Sequence, residues 1–202
     1  MSSTDDFTHA SQAFVDVVEG IGPDQWELPG LGNWDVRALV GHTARAILTV
    51  ENYLALDEPG HVSVPTAVRY YATVYSEYTD PKAIEERGVE AGVWLGDEPA
   101  ATIRDARIRA RAAIDAQHPD RIVSIGGLGV PLGEYLRTRV FELVVHTIDI
   151  SRATGVEHHI STAALAHTVA LAGEIAVEAG RGDDLLLAMT GRAPLPADFT
   201  IV

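Results

Sequence analysis

"RVFELVVHTIDISRATG", residues 139–155, decides how this chain is read. Glu142 and His146 stand four positions apart, and Asp149 follows one helical turn later. Successive residues of an α-helix advance by about 100°, so residues four apart share a face. Winding the segment as a helix aligns Tyr135, Arg139, Glu142, His146, Asp149 and Ala153 in one stripe. Leu136, Val140, Leu143, Val144 and Ile150 fall on the other side. The pattern predicts a helix from about 132 to 153, ended by Gly155. A polar stripe opposite an apolar one is what a solvent-facing helix presents. On that view Arg139 pairs with Glu142 and Asp149 with Arg152, and spacing alone favours it over a metal site. Glu-x-x-x-His is a common accidental spacing, and it differs from the His-Glu-x-x-His of zinc proteases, where both histidines bind.

Two observations weigh the other way. The polar half of this helix carries two arginines but no lysine or glutamine, few long charged groups for a wet face. A second helix, from about Trp34 to Leu56, carries His42 beside Leu39, Ala46 and Tyr53, at the edge of an apolar face. A lone histidine there is more often a satisfied core residue than a ligand. A bundle can nevertheless bring it to Glu142 and His146. Three protein ligands with an open position are the pattern of a catalytic divalent site.

The remaining chain reads as helices and connections. Phe7, Ala10, Phe14, Val17 and Val18 mark a helix over 4–20. Residues 23–33, PDQWELPGLGN, form a Pro/Gly-rich connection, and Asn33 can cap the helix that follows. Residues 66–80 are expected to be helical up to Asp80-Pro81, and the stretch to Gly96 is ambiguous. Ile103, Ala106, Ala110, Ala113 and Ile114 predict a helix over 98–117. Residues 121–133 read as an extended segment and turn, and 161–179 as an Ala-rich helix. The tail becomes loop-like around Pro194 and Pro196. Long amphipathic helices with little strand predict a mainly α, four-helix bundle.

Composition narrows the function. The net charge of −14 argues against nucleic acid and against anionic membranes as partners. No apolar run approaches the roughly 20 residues of a membrane span, and the acidic, polar N-terminus lacks a secretory signal; a cytoplasmic protein is expected. There are no cysteines. Any metal must therefore be held by His, Asp and Glu, and any thiol chemistry needs a thiol from outside.

"GNWDVRALVGHTARAILTVENYL", residues 32–54, resembles the second helix of the mycothiol-dependent maleylpyruvate isomerase family, a DinB-like group. "GLGVPLGEYLRTRVFELVVHTIDISRATG", residues 127–155, resembles its fourth bundle helix, with Arg-x-x-Glu-x-x-x-His-x-x-Asp. "LLLAMTGRAPLP", residues 185–196, resembles the small C-terminal appendage of many members. Residues 58–97 match only loosely.

The resemblance implies a DinB-like bundle over 1–157, with extra helices and a C-terminal helix and short tail over 158–202. It implies one divalent metal, usually zinc, held by His42, Glu142 and His146. The cosubstrate implied is mycothiol, the low-molecular-weight thiol of actinobacteria, activated to attack a small-molecule electrophile. An isomerase adds the thiol across a conjugated double bond, lets it rotate and expels it; a transferase keeps it attached. Asp149 is the expected outer acceptor for His146. Arg192 and Arg45 are candidates to clamp a substrate carboxylate. A hydrolase activating water at the same three residues is an alternative, as is a non-catalytic stress-response or ligand-binding bundle. Pairing of Ala-rich helices suggests a homodimer. His158 and His159 read as a solvated loop pair, and His9, His61, His118 and His167 as structural or exposed.

Overall fold

Ser2 opens the first helix. Its hydroxyl accepts from the Asp5 amide at 3.2 Å, and the Asp5 carboxylate accepts from the Ser2 amide at 3.0 Å, a reciprocal cap for the free N–H groups of a helix start. In the computed structural model, which describes residues 2–75 and 81–201, this helix is α1 (Ser3–Glu19). Phe7, Ala10, Phe14, Val17 and Val18 are all buried, as their spacing predicts.

The Pro/Gly-rich connection contains two short paired strands, β1 (Pro29–Leu31) and β2 (Trp34–Asp35). Because β2 intervenes, Asn33 stands too early to cap α2 (Val36–Leu54). Asp35 does so instead, accepting from the Ala38 amide at 2.7 Å. Asn33 sits in the turn and donates to Glu85 at 3.2 Å.

The helix expected over 66–80 is α3 (Ala67–Tyr70), continued by a π-helical turn, Tyr71–Tyr75; residues 76–80 lie outside the described residues. The ambiguous stretch is α4 (Pro81–Trp94). Its pattern is blurred because Val89, Val93 and Trp94 are exposed. Glycine, not an apolar stripe, seats it on α2. A Cβ added at Gly41 would lie 2.2 Å from the Gly92 amide nitrogen, so the two backbones touch there only because Gly41 lacks a side chain.

α5 (Pro99–Asp115) leads to a hairpin, β3 (Ile122–Ile125) and β4 (Leu128–Pro131). Gly126 and Gly127, with φ of +55° and +87°, make its two-residue turn, a conformation open to glycine at no steric cost. α6 (Leu132–Thr154), α7 (Thr162–Glu178) and α8 (Gly182–Met189) complete the chain. α1, α2, α5 and α6 close a ring in which each packs on two others, the four-helix bundle expected. α7 packs on α1 and α6, and α8 on α7. No helix among the described residues is long and apolar enough to cross a membrane.

Candidate metal centre

The two sides of α6 do different work. Leu136, Leu143, Val144 and Ile150 are buried in the bundle core, each contributing about 1.5–3 kcal/mol. That packing anchors the helix while its other side carries groups that are costly to desolvate. The solvent-facing expectation for this side fails. Tyr135 is fully buried, and the side chains of Glu142, His146 and Asp149 keep only 21%, 14% and 24% of their exposure. They are shielded because α2 lies alongside, with α3 and α4 closing over the gap.

The gap is a cleft of about 510 Å³. Trp34, Tyr53, Tyr70, Tyr71 and Phe141 give it an aromatic wall, and Arg45, Arg87 and Arg139 make it cationic. His42 from α2 and Glu142 and His146 from α6 come together in it, their nearest ligand atoms all within 4.8 Å of one another. His146 Nε2 lies 3.4 Å from Glu142 Oε2. Donors bonded tetrahedrally to zinc at about 2.0–2.2 Å stand about 3.3 Å apart, so the Glu142–His146 pair already has that separation.

The protonation states suit a cation. Burial, with the charges of His146, Arg45 and Arg139 assisting, lowers the His42 pKa to about 4, against the opposing pull of Glu142. Its imidazole is therefore neutral near pH 7, the form that ligates. Its Nδ1 is enclosed and has no hydrogen-bond partner. Burial pushes Glu142 up, but the hydrogen bond and charge of His146, then Arg139 and Tyr71, outweigh it and hold the carboxyl at about 2. His146 is drawn down by burial and raised further by Asp149 and Glu142, to about 9. A proton held between two carboxylates marks a place that favours positive charge. These residues fit a divalent ion bound by His42, Glu142 and His146.

Asp149 stands beside His146. Asp149 Oδ2 lies 3.1 Å from His146 Nδ1, leaving Nε2 turned to Glu142. This is the carboxylate–histidine arrangement that fixes a ligand's tautomer and ring orientation; Arg152 is not the ion-pair partner of Asp149. Arg139 stacks over Tyr70 and Tyr135 and forms no ion pair with Glu142. Arg45 lines the cleft. Arg192 is exposed on the tail and is not among the residues lining it. His167 pairs with the buried Asp6 of α1 at 2.6 Å.

Sequence patterns missed Tyr71, Trp34 and Arg87, and Arg139 in its cleft role. Tyr71 donates to Glu142 Oε1 at 2.9 Å, which orients the carboxylate. It heads the π-helical turn, a rare winding often found at functional sites, and no apolar periodicity announces such a turn. Tyr71→Phe is expected to weaken metal affinity about tenfold, the scale for an outer hydrogen-bond partner, with helicity unchanged. A chelator-competition titration measures this, and unchanged affinity would remove Tyr71 from the site.

A family model described as the mycothiol maleylpyruvate isomerase N-terminal domain matches residues 7–151. The chain belongs to this family. The mycothiol maleylpyruvate isomerase match takes in α2 and α6, hence all three candidate ligands, and ends before α7. Neither a curated protein nor a solved structure matches the chain significantly.

Proposed function

We propose that the chain is a divalent-metal-dependent enzyme, with zinc the expected ion, that joins a low-molecular-weight thiol, mycothiol, to an anionic electrophile. The reaction is of the S-transferase or isomerase kind. The observation that carries this reading is the convergence of His42, Glu142 and His146 in one aromatic, cationic cleft. Membership of the family points to the thiol, and the absence of cysteine leaves no protein thiol to compete for the metal.

A bound divalent ion supplies the Lewis acidity that lowers the pKa of an incoming thiol. The chain's residues do the rest. Glu142 contributes the negative charge of the ligand set. Asp149 holds the proton on His146 Nδ1. Trp34, Tyr53 and Phe141 line the cleft with apolar surface that keeps water from the electrophile. Arg45, Arg87 and Arg139 point to the electrophile's charge. Among the described residues none of the three forms an ion pair; Arg69, Arg104, Arg109, Arg111, Arg121, Arg137 and Arg181 do, and Arg37, Arg107, Arg152 and Arg192, outside the cleft, do not. Unpaired guanidinium groups gathered in one cleft of a chain with net charge −14 mark a seat for a carboxylate or similar oxyanion.

The test is turnover of a panel of conjugated carboxylates with and without mycothiol, after metal loading. Turnover is expected only when the thiol is present, with loss of free thiol for a transferase and none for an isomerase. Equal turnover without thiol would make water the nucleophile and the chain a hydrolase. Absence of stoichiometric metal in the purified chain would leave a non-catalytic bundle.

A further inference from the structure

We propose that Trp34 is the positioning residue for His42, holding the imidazole by stacking where the other two ligands are held by hydrogen bonds; this rests on the metal-centre reading above. His146 is oriented by Asp149 and Glu142 by Tyr71. His42 has no such partner: its Nδ1 is enclosed and unbonded, and no described residue bonds its other nitrogen. A ligating histidine ordinarily gives its second N–H to a carboxylate, carbonyl or water, which fixes the ring. Here the ring lies between two others. The Trp34 ring is 4.5 Å away, tilted by 33°, and the His146 ring meets it edge-on at 5.1 Å and 81°.

Trp34 can act as a support because it is itself held. Its Nε1 donates to the Glu85 carbonyl of α4 at 3.1 Å. Gly88 of the same helix lies against the indole, where an added Cβ would fall 2.6 Å from Trp34 Cε2. The Gly41–Gly92 contact ties α4 to α2 next to His42. The indole thus fills a slot whose sides are His42 on α2 and Gly88 on α4. Without it the His42 ring has about four to six staggered arrangements to sample, and apparent metal affinity falls by the fraction that remains in the ligating one.

The experiment titrates Co2+ into the chelator-treated full-length chain, reading visible absorption for the ligand set and competition with a chelating dye for affinity. Wild type is expected to bind one Co2+. Trp34→Ala is expected to bind it roughly four- to sixfold more weakly, with the same absorption bands at saturation and unchanged helicity. Trp34→Phe keeps a ring to stack but loses the bond to Glu85, and is expected to stay within about threefold of wild type. Gly88→Ala displaces the indole without removing it and is expected to weaken binding while helicity holds. Affinity in Trp34→Ala or Gly88→Ala equal to wild type overturns the proposal. So does Trp34→Phe losing as much as Trp34→Ala, since the Glu85 bond would then be what matters. Failure of wild type itself to bind Co2+ is a separate result that removes the metal centre and this proposal with it.

Discussion

His42→Ala is expected to strip the metal from the chain. The substitution deletes the only ligand contributed by α2 and leaves Glu142 and His146, both on α6. Loss of an outer partner already costs about 10- to 100-fold in affinity, and loss of a ligand costs more, so above roughly 100-fold is expected. Metal analysis after dialysis should find about one ion per wild-type chain and almost none in the variant. The fold should survive. His42 makes no hydrogen bond that α2 depends on, and α2 is anchored by Leu39, Val40, Ile47 and Val50, all fully buried. A small void where the imidazole stood destabilises by about 1 kcal/mol, which lowers the melting temperature of a chain this size by about 2–4 °C. Stoichiometric metal retained by the variant would place the ion elsewhere. Gross loss of helicity would make His42 a folding residue instead.

The second large effect is expected at Arg139. Its guanidinium stacks over Tyr70 and Tyr135, lines the cleft and, among the described residues, forms no ion pair, though its charge acts on Glu142. If it receives the anionic end of the electrophile, Arg139→Met removes a charge-assisted hydrogen bond of about 1.5–3 kcal/mol. That corresponds to a loss of roughly 10- to 150-fold in kcat/KM for a carboxylate substrate. The amide or ester of the same compound should lose little. Arg139→Lys should recover only part of the loss, because an ammonium neither forks onto a carboxylate nor spreads over two rings as a guanidinium does. Metal content must stay at the wild-type level in both variants, since Arg139 is not a ligand. Equal losses for the acid and its amide would assign Arg139 to packing rather than to recognition.

Arg139, Glu142 and His146 show how far local pattern reaches. Their helical stripe could be drawn from residue numbers, because 3.6 residues per turn is a property of the backbone. The same periodicity located α1, α2, α5, α6 and α7 to within about two residues. It failed at α4, which is held to α2 by two glycines in contact, a feature that has no apolar stripe. It also failed at β1 and β2, where pairing moved the cap of α2 from Asn33 to Asp35. Above all, it could not tell a wet stripe from one facing a cleft. Both have the same spacing, and the difference is whether another helix lies opposite.

By itself, then, the amino-acid order determined the helices of the bundle and the absence of a protein thiol, while His42, Glu142 and His146 entered as candidate ligands through the family resemblance. The resemblance carried by two of those helices agrees with the family match over residues 7–151. Tertiary structure alone decided what surrounds the ligands. Tyr71 stands 71 residues from Glu142, and Trp34 is fixed by a carbonyl 51 residues away. Arg192 was set apart on the exposed tail, while Arg87 and Arg139 came to line the cleft. The reason is that periodicity is local, set by the few residues of one turn, whereas burial, pKa and hydrogen-bond partners depend on which distant surfaces the packed core brings together.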